Sequence, residues 1–295
     1  MTTTRTFDGA PATLPKLLKA ALPAIPVIGG LPGIKHTGET APDLVLELKD
    51  VATDRDHLAR YNAICGYQPA DVLPPLYPHF AAFGLHLSLM TDTAFPFAPM
   101  GVVHLRNRLI HHRPIGLDET LDLSVKAHDL RPHPKGQLID ITTTATAASA
   151  ENVWSETMTI FARGKSGSGA EPTRPPLDGV DAPTGVVEWK LKGDLGRRFA
   201  AVSGDRNPIH LYPLTAKAFG FPTNIAHGMW TKSRALAALQ NRLPKRYEVN
   251  VEFRKPVLLP STVIFGSRVA DDVTTFGVTS ARRPGTHLVG QVRPL

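Results

Sequence analysis

The chain has 295 residues, of which 42% are hydrophobic and 20% are charged, a balance typical of globular proteins with apolar material for about two domains. Its formal net charge is +7, yet the Lys and Arg residues are scattered and not interleaved with aromatic residues, which argues against a nucleic-acid-binding protein. Cys65 is the only cysteine, which excludes an intrachain disulfide and a thiolate metal cluster within one chain.

The stretch from Leu17 to Leu31 is the longest apolar segment near the N-terminus. Two prolines and two glycines interrupt it, so it lacks the continuous apolar length of a membrane span, and no convincing cleavage site of a signal peptide follows. We expect an ordered extension packed on the first domain, no membrane span and a cytoplasmic location.

The first half of the chain predicts a short helix followed by four strands. The apolar run Leu85–Met90 favours the helix. Alternation of apolar and polar residues between turn residues predicts the strands, near positions 101–115, 119–131, 136–148 and 153–163.

The segment 166–185 separates this half from the rest of the chain. It is rich in Ser, Gly and Pro and has almost no apolar periodicity, as expected of an exposed linker. We therefore predict an N-terminal domain at 1–165, which includes the N-terminal extension. The linker follows at 166–185 and a C-terminal catalytic domain at 186–295.

The second half repeats the order of one helix and four strands. From Met229 the sequence MWTKSRALAALQNRL has no internal glycine or proline and spaces its apolar residues as a helix does. Four strand candidates follow, at 247–260, 261–272, 273–283 and 287–294. A helix followed by antiparallel strands is the order of an α+β fold in which a sheet wraps one central helix.

A shift of 138 positions relates the two halves. It places Tyr61–Gly66 over Phe199–Gly204, which indicates diverged copies of one unit, although chance likeness between two strand-rich segments is the alternative. In this register Tyr67 replaces Asp205 and Val72 replaces His210. The first copy would then lack both proton-handling groups, leaving one active site per chain.

The segment FAAVSGDRNPIH, from Phe199 to His210, predicts a carboxylate facing an imidazole across a turn. A residue before proline is extended and Pro suits the first helical position, so Asn207 is a candidate N-cap and His210 lies in the first helical turn. The positive end of the helix dipole favours a neutral imidazole there. Asp205 could share a water with His210, whereas a helix-capping pair beside a surface histidine is the structural alternative.

The element His227–Gly228–Met229 lies where the second helix is predicted to begin. A helix N-terminus presents unpaired N–H groups, and glycine allows close approach of a ligand, so Gly228 could hold an enolate oxygen. Two roles stay open for His227, a structural bond to the backbone or a part in catalysis. We expect no metal: His111 and His112 point to opposite faces of a strand, and His104 finds no third ligand at a useful spacing.

The segment from Phe199 to His210, with 216–222 (AKAFGFP) and 226–229 (AHGM) after it, resembles the hydratase signature of the MaoC-like, (R)-specific enoyl-thioester hydratases and dehydratases. The whole chain is similar to the mycobacterial (3R)-hydroxyacyl-thioester dehydratases, which implies a double hot-dog fold. The resemblance implies that Asp205 and His210 hold the catalytic water, and that the N–H of Gly228 binds the thioester oxygen.

This resemblance implies reversible hydration of trans-2-enoyl thioesters to (3R)-3-hydroxyacyl thioesters in fatty-acid metabolism, without a cofactor. The basic charge suits coenzyme A or an acidic acyl carrier protein as the substrate carrier, and a homodimer is possible. We expect the substrate to be bound by Ser203, Asn207, Met229 and Tyr77. A hot-dog acyl thioesterase, a non-catalytic acyl-thioester-binding subunit and, less favoured by the scattered charge, a nucleic-acid-binding module remain alternatives.

Overall fold

The computed structural model describes residues 2–13, 15–17, 36, 38–164 and 177–295. Of the predicted N-terminal extension at Leu17–Leu31, only Leu17 lies within these residues. Residues 166–176 of the predicted linker also lie outside them. Within the described ranges, no helix combines the length and the apolar character that crossing a membrane requires.

Strands dominate the described structure. In chain order they are β1 (Thr3–Phe7), β2 (Leu44–Val51), β3 (Val103–His111), β4 (Leu121–His133), β5 (Gly136–Ala147), β6 (Asn152–Arg163), β7 (Val187–Leu191), β8 (Tyr247–Phe253), β9 (Ser261–Ala270), β10 (Val273–Ser280) and β11 (Thr286–Pro294). The helices are α1 (Arg55–Cys65), α2 (Tyr77–Ala81), α3 (Phe83–Met90), α4 (Leu195–Ser203), α5 (Pro208–Leu211), α6 (Pro213–Ala218) and α7 (Gly228–Ala238), and α7 is followed by a 3₁₀ turn at Gln240–Arg242.

Contacts divide the chain into two compact units. Unit 1 comprises Met1–Ala52, Pro78–Leu105 and Thr120–Arg174, and unit 2 comprises Thr53–Tyr77, Arg106–Glu119 and Pro175–Leu295. The units are interleaved along the sequence, because α1 and most of β3 belong to unit 2. The division at 1–165, 166–185 and 186–295 follows the sequence repeat and stays a prediction.

Unit 1 is a sheet with α3 packed on it. β2, β4, β5 and β6 pair antiparallel in that order, and β1 joins β2 in parallel. Helix α3 contacts β2 and β4, and its Leu85 is as fully buried as Leu46 of β2. Burying each such side chain contributes roughly 1.5–3 kcal/mol, so the helix is held mainly by its apolar contacts with the sheet.

Unit 2 repeats this arrangement around α7. Its antiparallel sheet has the order β3, β8, β11, β10, β9, β7, and α7 contacts β10. Leu236 of α7 and Phe276 of β10 have no exposed surface. The two central helices and the eight strands predicted for the two halves are therefore present. Most ends differ by a few residues, and the strand predicted at 247–260 already ends at Phe253.

Helices α1 and α4 were not predicted from the sequence. Each ends at a glycine in the left-handed conformation, Gly66 with φ 78° and Gly204 with φ 77°. The N–H of Gly66 bonds the carbonyl of Asn62, and the N–H of Gly204 bonds that of Ala200. These pairs match at the shift of 138, so the two copies share the helix end as well as the sequence register.

Candidate functional site

The loop that carries Asp205 leaves α4 through the left-handed Gly204. The N–H of Asp205 donates to the hydroxyl of Ser203 at 3.2 Å. One carboxylate oxygen, Oδ1, accepts the N–H of Asn207 at 3.0 Å. The carboxylate is thus fixed by local bonds while its side chain keeps 32% of its surface exposed, which leaves it accessible to water.

Asn207 and Pro208 begin α5 as predicted. The side chain of Asn207 accepts the N–H of Ile209 at 3.4 Å, and Pro208 occupies the first turn. This places His210 in the same turn, where its Nδ1 lies 2.9 Å from the carbonyl oxygen of Ile225. Because a carbonyl only accepts, Nδ1 carries the hydrogen and Nε2 keeps the lone pair of the neutral ring.

Two further residues fix the backbone of His210. A Cβ built on Gly196 would lie 1.9 Å from the carbonyl oxygen of His210, so α4 and α5 approach each other as only glycine permits. The buried amide of Asn224 donates to the carbonyl of Gly193 at 3.0 Å and lies 3.5 Å from that of His210. Neither residue was predicted as part of the site, although a lone glycine inside a helix is a signal of close packing.

His227 contacts both predicted catalytic residues, Asp205 and His210. Its Nε2 donates to the backbone carbonyl of Asp205 at 2.9 Å and is 3.8 Å from carboxylate Oδ2 of the same residue. Its ring stacks on that of His210, with centroids 3.7 Å apart and planes inclined by 24°. The bond to the backbone, one of the two roles left open for His227, is present, and a part in catalysis is not tested by it.

These side chains form one cluster. A carboxylate oxygen of Asp205 and a ring nitrogen each of His210 and His227 lie within 4.8 Å of one another. Two hydrogen bonds of about 2.8 Å to one water span such a separation. His210 is buried, and only Asp205 of the three is substantially exposed. The arrangement can therefore hold a water between an acceptor carboxylate and a neutral imidazole.

Burial keeps both imidazoles neutral. It lowers the pKa of His210 below its usual value, although the carboxylate of Asp205 acts in the opposite direction. Burial and the neighbouring His210 lower the pKa of His227 to about 3. The neutral His210 expected from the helix dipole is thus explained chiefly by desolvation.

The same three residues offer the donor types of a metal site, but their orientation does not suit one. A metal bound at about 2.0–2.1 Å lies in the plane of each imidazole that ligates it. Two rings stacked 3.7 Å apart with planes inclined by only 24° do not share such a point. The absence of a metal remains a prediction, which this geometry favours.

Gly228 is the first residue of α7, with His227 as its N-cap. The preceding segment is held in place by the bond from the N–H of Ala226 to the carbonyl of Val257 at 2.8 Å. A Cβ on Gly228 would approach Phe253 to 3.1 Å, so this helix end is closely packed. The N–H groups of the first turn of a helix have no partner within it, which makes them donors for an oxyanion.

The four predicted substrate-binding residues differ in their surroundings. Ser203 and Asn207 brace the loop of Asp205. Met229 is buried at the start of α7, with its sulfur 3.7 Å from the amide of Asn107. The hydroxyl of Tyr77 bonds His57 at 3.0 Å and the carbonyl of Asp54 at 3.2 Å. Contact of these four residues with a substrate stays a prediction.

The chain is similar in sequence to a known family of proteins. The model of the MaoC like domain matches residues 181–283. The 3-hydroxyacyl-thioester dehydratase X of Mycobacterium tuberculosis is 33% identical over 285 residues, covering 97% of this chain and 99% of that protein.

Solved structures extend the comparison to the fold. The crystal structure of HtdX from Mycobacterium tuberculosis matches with a TM-score of 0.75 at 32% identity, covering 85% of this chain and 100% of that chain. A conserved hypothetical protein of the same organism with a double hot-dog fold matches with a TM-score of 0.53 at 16% identity, covering 83% and 94% of the two chains. The predicted α+β double hot-dog fold is confirmed.

Proposed function

Because the chain belongs to the family of MaoC-like 3-hydroxyacyl-thioester dehydratases, we propose that it interconverts trans-2-enoyl and (3R)-3-hydroxyacyl thioesters through Asp205, His210 and Gly228. The chain is a hydro-lyase of acyl thioesters. The observation that carries the proposed mechanism is the separation of at most 4.8 Å between the carboxylate of Asp205 and the ring of His210.

In the hydration direction, Asp205 and the free Nε2 of His210 orient one water and accept its proton as its oxygen attacks Cβ. The pair then returns a proton to Cα, so that water is added across the double bond. Dehydration reverses these steps through the same groups.

Gly228 stabilises the charge that develops during this addition. Attack at Cβ moves an electron pair onto the thioester oxygen, and a backbone N–H at the start of α7 lies at a helix end that favours an anion. In comparable sites, one preorganised donor contributes on the order of 3 kcal/mol to transition-state stabilisation. The atoms of the reaction balance without a redox cofactor.

The acyl group is carried as a thioester by coenzyme A or by an acyl carrier protein. Both carriers are anionic, and the basic net charge of the chain favours binding of either one. We place Ser203, Asn207, Met229 and Tyr77 around this substrate. A cytoplasmic location and a homodimer are part of the same proposal.

The test uses the purified chain alone, 2-enoyl-CoA substrates of increasing length, and the variants Asp205→Asn and His210→Ala. We expect loss of the enoyl absorbance without release of thiol. Each substitution should lower kcat by roughly two to four orders of magnitude, the range of general acid–base catalysis, without loss of folding.

Three results would overturn the proposal. Release of thiol would identify a thioesterase, and inactivity of the folded chain on every enoyl-CoA and enoyl-carrier-protein substrate would favour a binding subunit. Near-normal rates in both variants would remove Asp205 and His210 from the mechanism.

A further inference from the structure

His57 contacts the backbone of the catalytic loop from a distant part of the sequence. It lies in the first turn of α1, and α1 packs against α4 within unit 2. Its Nε2 lies 2.7 Å from the carbonyl oxygen of Val202, which is 145 positions further along the chain. Because the carbonyl only accepts, Nε2 of His57 is the donor.

The carbonyl of Val202 needs a donor from outside its own helix. Helix α4 ends at Ser203, and the last four carbonyls of a helix have no partner in the next turn. The N–H of the capping Gly204 bonds Ala200 instead. His57 thus satisfies an orphan carbonyl three positions before Asp205, at the point where the helix becomes the catalytic loop.

The other nitrogen of His57 is also engaged, which fixes the ring. Nδ1 lies 3.0 Å from the hydroxyl of Tyr77, and that hydroxyl lies 3.2 Å from the carbonyl of Asp54. The side chain of Asp54 caps α1 by accepting the N–H of His57 at 2.9 Å. Tyr77 is buried, and its ring lies against those of His57 and Tyr61. Both ends of the His57 ring are therefore held.

We propose that His57 is a positioning residue for the hydration reaction, holding the loop of Asp205 through the carbonyl of Val202. The inference rests on the proposed function of Asp205. Within the loop, Ser203 supports the backbone of Asp205 from one side, and His227 binds its carbonyl from the other. His57 anchors the helix end from which the loop departs, so its loss displaces the carboxylate relative to the water.

The experiment compares His57→Gln with His57→Phe. The side-chain amide of Gln can place a donor near the position of Nε2, whereas Phe fills the space without a donor. For the Phe variant we expect kcat to fall about tenfold, the effect of losing the hydrogen bond to the carbonyl of Val202. The Gln variant should recover most of that loss. Tyr77→Phe keeps Nε2 of His57 but removes the hydroxyl that holds the His57 ring. Its kcat should lie between those of the two His57 variants.

Arg55→Gln is the matched control on the same helix. Arg55 forms an exposed ion pair with Asp118 and does not contact the loop, so this variant should keep the kcat of the wild type. Unfolding curves of all four variants establish that each is folded.

Amide hydrogen exchange of residues 200–207 provides a readout that does not depend on catalysis. We expect faster exchange in His57→Phe than in the wild type and His57→Gln. Equal exchange in all three proteins, or equal kcat in the Phe and Gln variants, would overturn the proposal. If the wild type lacks hydratase activity, the proposed function fails, and the exchange data still decide whether His57 holds the loop.

Discussion

The imidazole rings of His210 and His227 stack with their centroids 3.7 Å apart, and each ring donates one N–H to a backbone carbonyl. The acceptor of His210 is Ile225, and the acceptor of His227 is Asp205. The stack therefore connects the imidazole of the site to the backbone of its carboxylate. Each ring limits the rotation of the other, which keeps the free nitrogen of His210 in one orientation.

His227→Phe should lower kcat about tenfold, because it retains a ring for stacking but loses the bond to the Asp205 carbonyl. His227→Gln can retain a donor to that carbonyl, so its kcat should be closer to that of the wild type. Steady-state kinetics on an enoyl-CoA measure both. If the two variants are as active as the wild type, His227 does not position the site.

Gly228→Pro tests the backbone donor itself. His227 is extended, with φ −64° and ψ 136°, as a residue before proline prefers, and proline suits the first position of a helix. The substitution thus removes the N–H with little change of backbone. We expect kcat about 100-fold below that of Gly228→Ala, which keeps the N–H and controls for the added carbon. Similar rates in these two variants would exclude Gly228 as the oxyanion donor.

Gly196→Ala should disturb the site from within α4. The new Cβ would lie 1.9 Å from the carbonyl oxygen of His210, so α5 has to move. We expect a fall in kcat of more than tenfold and a lower free energy of unfolding, by about 1–3 kcal/mol as for other overpacked positions. Gly193→Ala is the control, because its Cβ would meet only Pro260, at 3.8 Å. Equal behaviour of both variants would contradict the close approach.

The pH dependence of kcat/KM should reflect the neutral state of His210. Burial lowers its pKa below 6.5, so the active neutral ring persists as the pH falls to 6.5 and is protonated only below that value. We expect the rate to decline on the acid side below pH 6.5. Asp205 raises this pKa, so the residual activity of Asp205→Asn should decline at a still lower pH. A wild-type acid limb centred above pH 7 would contradict the role of a buried neutral ring.

The strands could be predicted because their signal is local. The burial of β5 alternates along much of its length, as its sequence GQLIDITTTATA indicates. Helix α4 has an apolar face as well, but its nine residues run directly into the turn of Asp205, so turn residues mask the helical period of the sequence. Strands β1, β2 and β7 are also absent from the sequence prediction. β7 exposes three of its five residues, so its pattern is weak.

The turn of the candidate site was predictable because its parts are close in sequence. Asp205, Asn207 and His210 lie within one turn, and cap and proline preferences predict that turn directly. The contact of His227 with Asp205 crosses 22 positions, and that of His57 with Val202 crosses 145. Such contacts depend on how helices pack, and the identity of a histidine does not reveal its distant partner.

The matching ends of α1 and α4 show that the two copies share a backbone conformation but differ in the side chain that follows it. Gly66 keeps the left-handed bend of Gly204, while the residue after it is a buried tyrosine instead of an acid. A protein engineer who wished to install a second reactive centre would therefore begin with the bend already present. The harder task would be to admit solvent at Tyr67, whose side chain is enclosed by its neighbours.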